Sequence, residues 1–315
     1  MTRLADLVDL PHVRLGAVPT PVRRLELGHR AEVWVKDESA FGDGGWGGNK
    51  VRKLEWIIAE AHRRGSTTLL TVGGIGTHWG LACALYGREH GLRTVLGLVD
   101  QPLDDHVRDQ LRRLEASGAV LHRYRSSNRL RLAAPYLMAR YRPWYVPAGG
   151  SHPVGALAYV DVALEIADQV AAGALPEPAT LVVPVGSGGT VAGLALGLRL
   201  AGLDRTRLLG VVVNDLLRLD RPSIARLAGR TGALLARAGL ARVPTAVEAD
   251  LPRDWLGEGY GVPTPAGSAE VARATEAGIP VEPVYTGKAL AAVRELDARG
   301  ELAGPVLWLA THGPR

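Results

Sequence analysis

Lysine stands at only four positions of this sequence, 36, 50, 53 and 288, and arginine supplies every other Lys/Arg position. Where arginine serves wherever a positive charge suffices, the surviving amines are candidates for chemistry a guanidinium cannot do, chiefly attack on a carbonyl. Lys50 has the richest setting. It follows Asp43, Gly44, Gly45, Trp46, Gly47, Gly48 and Asn49, and it precedes a stretch at 51–64 with Leu54, Ile57, Ile58 and Ala61 at helical spacing. Glycines let a backbone approach a ligand closely. The positive end of a helix dipole disfavours an ammonium, so an amine placed there loses its proton more readily. An exposed helix-start lysine in a glycine-rich loop would read the same way.

A second constellation runs Val182, Val183, Pro184, Val185, Gly186, Ser187, Gly188, Gly189, Thr190, Val191, Ala192, Gly193. An apolar strand enters a Gly/Ser turn and then a helix, so unpaired backbone N–H groups and the helix dipole converge where a phosphate would sit. The turn lacks the lysine of a nucleoside-triphosphate loop. Val191 stands where a dinucleotide fingerprint wants glycine or alanine, although Asp215 could pose as a ribose ligand. A carbonyl-capturing amine together with a phosphate cradle implies a phosphorylated aldehyde cofactor, for which pyridoxal 5'-phosphate is the obvious candidate. No metal ligand set is expected.

These groups need a scaffold that brings them together. Short β-branched or apolar runs at 33–36, 67–72, 94–99, 120–124, 144–146, 181–185, 208–213 and 306–309 alternate with helical stretches, including 51–64, 77–90, 154–171 and 190–201. That alternation predicts an α/β fold built on parallel sheets. With 315 residues the chain has room for two compact lobes. Glycine and proline cluster near Lys50 and at 147–150, which predicts a larger domain from 1–50 and 147–315 and a smaller inserted α/β domain at 51–146.

Composition excludes several classes. Hydrophobic residues make up 47% and charged residues 22%, as in ordinary globular proteins. The net charge of +5 arises from scattered arginines, which argues against nucleic-acid binding. The single cysteine, Cys83, rules out an intramolecular disulfide and any cysteine-based zinc site, and a reducing, cytoplasmic setting is expected. Asp6 and Asp9 interrupt the first ten residues, so no secretory signal is expected, and no apolar run approaches the roughly 20 residues of a membrane span.

Seven stretches make the reading specific: PTPV at 19–22, GGNKVRKLE at 47–55, GGI at 73–75, PAGGSHPVG at 147–155, GSGGT at 186–190, GYGVPT at 259–264 and EPVYTGK at 282–288. In this order the chain resembles the fold-type-II pyridoxal-phosphate enzymes, in the branch of D-cysteine desulfhydrase and 1-aminocyclopropane-1-carboxylate deaminase. The resemblance implies a two-domain, tryptophan-synthase-β-like α/β fold and a homodimer. It implies that Lys50, next to Asn49, bonds the cofactor aldehyde and moves the α-proton of a small amino-acid substrate. The turn of Gly186, Ser187, Gly188, Gly189 and Thr190 matches the phosphate cradle, and Tyr260 and Tyr285 match active-site tyrosines that handle a proton or a leaving group. Where the cyclopropane deaminases carry a carboxylate against the pyridine nitrogen, this chain has Thr286. Thr311 matches a desulfhydrase-like hydroxyl. A hydroxyl supports a weaker electron sink, suited to α-proton removal followed by loss of a β-substituent. As lone residues, the tyrosines could equally be core aromatics and the threonines local backbone caps.

Departures from the pattern point to an altered substrate. Thr77, His78 and Trp79 replace a Ser-Asn-Gln that grips the substrate carboxylate and the cofactor hydroxyl: Thr77 can still donate to a carboxylate, His78 could replace the amide as a catalytic-site donor although it titrates near neutrality, and Trp79 adds bulk. His152 stands in place of Asn, His312 in place of Gly, and 43–46 looks inserted. The expected activity is desulfhydrase-like β-elimination to a keto acid and ammonia. β-Replacement and cyclopropane ring-opening deamination are the alternatives, and racemisation is open because proton return to either face uses the same carbanion. A nicotinamide oxidoreductase and a catalytically retired amino-acid binder are the readings from other classes.

Overall fold

The computed structural model describes residues 2–42 and 48–311. Asp43 to Gly47 and His312 therefore lie outside the described residues, and with them the inserted stretch, the first glycine of the lysine loop and the third unusual histidine.

Two sheets organise the chain. The larger is built from β1 (Val22–Arg24), β2 (Val33–Lys36), β7 (Thr180–Val185), β8 (Arg207–Val212), β9 (Ala249–Asp250) and β10 (Val306–Leu309), in the order β1-β2-β10-β7-β8-β9. Only β1 runs antiparallel to its neighbour. The smaller sheet is parallel throughout, with β3 (Thr68–Gly74), β4 (Arg93–Val99), β5 (Val120–Tyr124) and β6 (Trp144–Tyr145) in the order β5-β4-β3-β6. The fold is α/β and parallel-rich. β1 and β9 were not expected from the sequence, because three and two residues are too few to show a period of two.

The helices are α1 (Asn49–Arg63), α2 (His78–Glu89), α3 (Asp105–Ala116), α4 (Ser127–Tyr141), α5 (Pro153–Ala171), α6 (Gly189–Leu200), α7 (Arg221–Arg237), α8 (Pro265–Glu276) and α9 (Thr286–Ala298). Local chemistry starts many of them. Asp104 accepts from Val107 N–H at 2.7 Å ahead of α3, and Asp220 with Ser223 closes a reciprocal cap ahead of α7. Pro153 opens α5, where its missing N–H costs nothing. α5 and α6 are apolar almost all round and pack on each other, with the main core formed between them, α1 and the larger sheet. Among the described residues, no helix is long and apolar enough to cross a membrane.

Strand direction gathers the candidate residues at one end of each sheet. The turn after β7, Asn214 and Asp215 after β8, Thr311 after β10 and the Gly73–Thr77 turn at the end of β3 all lie at carboxyl ends of parallel strands, where ligands bind in open α/β sheets.

Candidate active site

α1 begins two residues earlier than its apolar periodicity suggested, which places Lys50 inside its first turn. Asn49 N–H donates to Thr311 carbonyl at 3.1 Å, tying the lysine's turn to the end of β10. The Lys50 amine lies 5.7 Å from the centroid of the Tyr285 ring. Burial lowers this amine to about 8, and the carboxylate of Glu282 partly opposes that shift.

The two tyrosines form a unit. Tyr285 Oη donates to Tyr260 Oη at 2.6 Å, with the rings edge-on at 6.0 Å. Burial raises both phenols, so each remains a proton donor at neutral pH. Tyr260 is held by its backbone: its N–H donates to Asp215 Oδ1 at 2.9 Å, and Lys288 donates to the Leu256 carbonyl at 2.7 Å and the Gly259 carbonyl at 3.3 Å. Asp215 Oδ1 thereby helps to hold the tyrosine loop.

Glu282 was overlooked in the sequence. Its carboxylate accepts from the N–H groups of Val284, Tyr285 and Thr286 at 2.8, 2.9 and 2.6 Å, anchoring the start of α9 below Tyr285. An acid just ahead of a helix start was the available signal. Thr286 is fully buried, and its hydroxyl oxygen lies 3.0 Å from Glu282 Oε1, 3.2 Å from the Glu282 carbonyl and 3.0 Å from the Glu282 N–H. The structure thus engages Thr286 in local capping. Thr311 is also buried, but no hydrogen bond reaches its hydroxyl among the described residues.

The turn after β7 is open for an anion. Gly188, which has no side chain of its own to cap α6, supplies the left-handed backbone (φ 89°) at its start. A Cβ at Gly149 would sit 2.1 Å from Ser187 Oγ, so only glycine lets that neighbouring turn close on the cradle. Ser151 Oγ accepts from Gly189 N–H at 3.0 Å and donates to Ser187 Oγ at 2.8 Å. Asn214 Nδ2 donates to the Gly186 carbonyl at 2.8 Å. Lys53, the other unforeseen member, comes within 3.4 Å of where a Gly189 Cβ would be. It shares a helix face with Lys50, three residues on, and that spacing was the signal for it.

Thr77 caps α2, its hydroxyl accepting from Gly80 N–H at 3.1 Å, which leaves the hydroxyl proton to donate. His78 turns toward α3. Gln110 Nε2 lies 3.0 Å from the His78 Nδ1, and His78 Nε2 shares a hydrogen bond of 2.9 Å with His106 Nε2. The two imidazole centroids lie 5.1 Å apart, with 27° between the ring planes. Burial, with the charge of Lys50 next, lowers His78 to about 3, so it is neutral at physiological pH. Trp79 does not crowd the cleft as expected: it is buried and donates from Nε1 to Thr71 Oγ1 at 2.8 Å. His152 caps α5, its Nδ1 accepting from Val154 N–H at 3.2 Å.

These residues fit a phosphorylated aldehyde. Asn49 Oδ1 is buried without a partner among the described residues, the residue that opens α6 is a glycine with no capping side chain, and an amine lowered to about 8 stands ready for a carbonyl. A family model described as pyridoxal-phosphate dependent enzyme matches residues 13–311. The chain is 32% identical to a D-cysteine desulfhydrase of Klebsiella pneumoniae (strain 342) over 331 aligned positions, covering 98% of this chain and 96% of the relative. A crystal structure of an ACC deaminase homologue superposes with a TM-score of 0.84 at 28% identity, over 99% of this chain and 95% of that one. The processed form of threonine deaminase isoform 2 from Solanum lycopersicum shares the fold, with a TM-score of 0.66 at 16% identity over 95% and 80% of the two chains. With its matched region running nearly end to end, the chain belongs to the pyridoxal-phosphate dependent enzyme family.

Proposed function

We propose that this chain is a lyase of the D-cysteine desulfhydrase kind, releasing a β-substituent from a small amino acid and yielding a keto acid and ammonia. The observation that carries the reading is the Lys50 amine beside a hydrogen-bonded tyrosine pair, with the buried Thr311 at the end of β10. The full-length similarity to D-cysteine desulfhydrases supports it.

Lys50 would hold the cofactor, with Gly186, Ser187, Gly188, Gly189, Thr190, Ser151 and Lys53 around its phosphate, Asn49 at its ring substituents and Thr311 at its ring nitrogen. Once bound, the cofactor supplies a carbonyl carbon that captures the substrate amine and a conjugated ring that stabilises the electron pair left at the α-carbon. Thr77 and the N–H groups opening α2 bind the substrate carboxylate. The Lys50 amine takes the α-proton. The Cβ–S bond then breaks with its electron pair going to sulfur, and a tyrosyl proton from the Tyr260–Tyr285 pair moves to sulfur. Water converts the released aminoacrylate to keto acid and ammonia. Thr286 acts at one remove, holding Glu282 and the start of α9.

On this reading the enzyme works in the cytoplasm as a homodimer. Its larger domain is 1–50 and 147–315 and its smaller domain is 51–146, a division supported by the smaller sheet drawing all its strands from 68–145. The test is a substrate panel of D- and L-cysteine, β-chloroalanine, serine and aminocyclopropane carboxylate, recording keto-acid release. D-Cysteine is expected to turn over fastest. Turnover of the cyclopropane substrate alone would overturn the reading.

A further inference from the structure

The buried amines of this protein differ in what opposes their charge. Lys36 meets Glu165 at 2.6 Å, Lys288 lies between two carbonyls, and Lys50 faces Glu282. Lys53 has the Gly149 carbonyl at 2.9 Å and the face of Tyr159 at 5.9 Å, and no carboxylate of the described residues pairs with it. It is 2% exposed. Its other neighbours are Lys50 and the positive end of α6, beside Ser151. An ammonium in that place is opposed by both positive neighbours and balanced by no carboxylate. Burial, then the charge of Lys50, lowers the Lys53 amine to about 7. A phosphate dianion in the cradle would reverse the local potential.

We propose that Lys53 is a neutral amine in the cofactor-free protein and takes up a proton when the cofactor phosphate enters the cradle. Loading thereby shifts the positive charge of this helix face from Lys50 to Lys53. This rests on the reading of residues 186–190 as the phosphate cradle. The protons balance. Lys50 as an ammonium carries three N–H protons: when its nitrogen bonds the aldehyde carbon, two of them leave with the carbonyl oxygen as water and the third is released, which Lys53 accepts. The i, i+3 spacing thus supplies both the anchor for the phosphate and the acceptor that frees the nucleophile.

The test is calorimetric titration of the cofactor-free protein with pyridoxine 5'-phosphate, which carries ring and phosphate but no aldehyde. It is run at pH 8, where the phosphate is already a dianion, in two buffers of different ionisation enthalpy. The buffer dependence of the heat reports proton uptake, expected at about 0.9 proton per site for an amine lowered to about 7. Lys50→Ala should retain most of that uptake. Lys53→Arg, charged throughout, should bind the probe without it, and Lys53→Met should bind more weakly, also without it. Binding by the wild type with no uptake, or uptake that persists in Lys53→Arg, overturns the proposal and leaves the cradle standing. Failure of the folded wild type to bind the probe overturns both.

Discussion

Two groups of buried cations meet on α1 and differ in what neutralises them. Arg52 and Lys36 belong to a compensated cluster. Arg52 meets Glu38 at 2.7 Å and Glu165 at 3.0 Å, Lys36 meets Glu165 at 2.6 Å, and Thr20, Gln169 and Tyr159 complete the hydrogen bonds. Lys50 and Lys53, on either side of Arg52 in sequence, have one carboxylate, Glu282, near the first and none beside the second. Every charge in the first cluster has a partner supplied by the fold, whereas the second is left with cationic capacity that only a ligand can use. Desolvating charge is expensive in both places, so the pattern of compensation, more than burial itself, separates scaffold from site.

The comparison breaks most plainly at Lys50. Lys50→Ala should cut turnover by on the order of 10^3-fold or more, and borohydride reduction of the loaded wild type followed by peptide mapping should label this residue. A label on Lys53 would dissolve the distinction between anchor and nucleophile. Arg52→Met should instead act on stability, costing about 3–5 kcal/mol in urea unfolding because Glu38 and Glu165 are left buried and under-compensated. If the loss appeared only in turnover, the cluster would belong to the site.

Tyr260→Phe should lower kcat about 100-fold with a smaller change in KM, since a proton donor is lost while the edge-on ring contact remains. Lys53→Met should sharpen the contrast from the other side: the cofactor-free protein should gain about 1 kcal/mol, the scale of relieving an incompletely paired buried polar group. A further effect concerns pH. The folded-state values of Lys50 and Lys53, about 8 and about 7, lie below the ordinary 10.5 of an unfolded lysine, so the unfolded chain binds more protons between them. Stability of the cofactor-free protein should therefore rise with pH from about 7 to 10, and Lys53→Met should flatten that slope in a pH series of thermal melts.

The parallel α/β architecture was legible in the alternation of short apolar runs with amphipathic stretches, and most strand positions agree within a residue. Lys50 and the turn at 186–190 stood out because glycine-rich turns and rare amines leave marks in a linear string, whereas the two tyrosines stood out only through the family resemblance. What escaped was whatever depends on partners distant in the chain. Thr77 was legible as a helix-start donor, but the direction of its neighbour His78 was decided by Gln110 and His106 on another helix. Trp79 looked like an obstruction until β3 supplied Thr71 as its acceptor.

Residue types, spacing and turn chemistry therefore pointed by themselves to an amine and an anion-binding turn on parallel sheets, since those features are local. Tertiary structure alone decided which cations would be neutralised, which threonine hydroxyl would be spent on capping, and that Lys53 would arrive at the start of α6. Charge compensation is a property of what surrounds a group in space, and no periodicity along the chain encodes it.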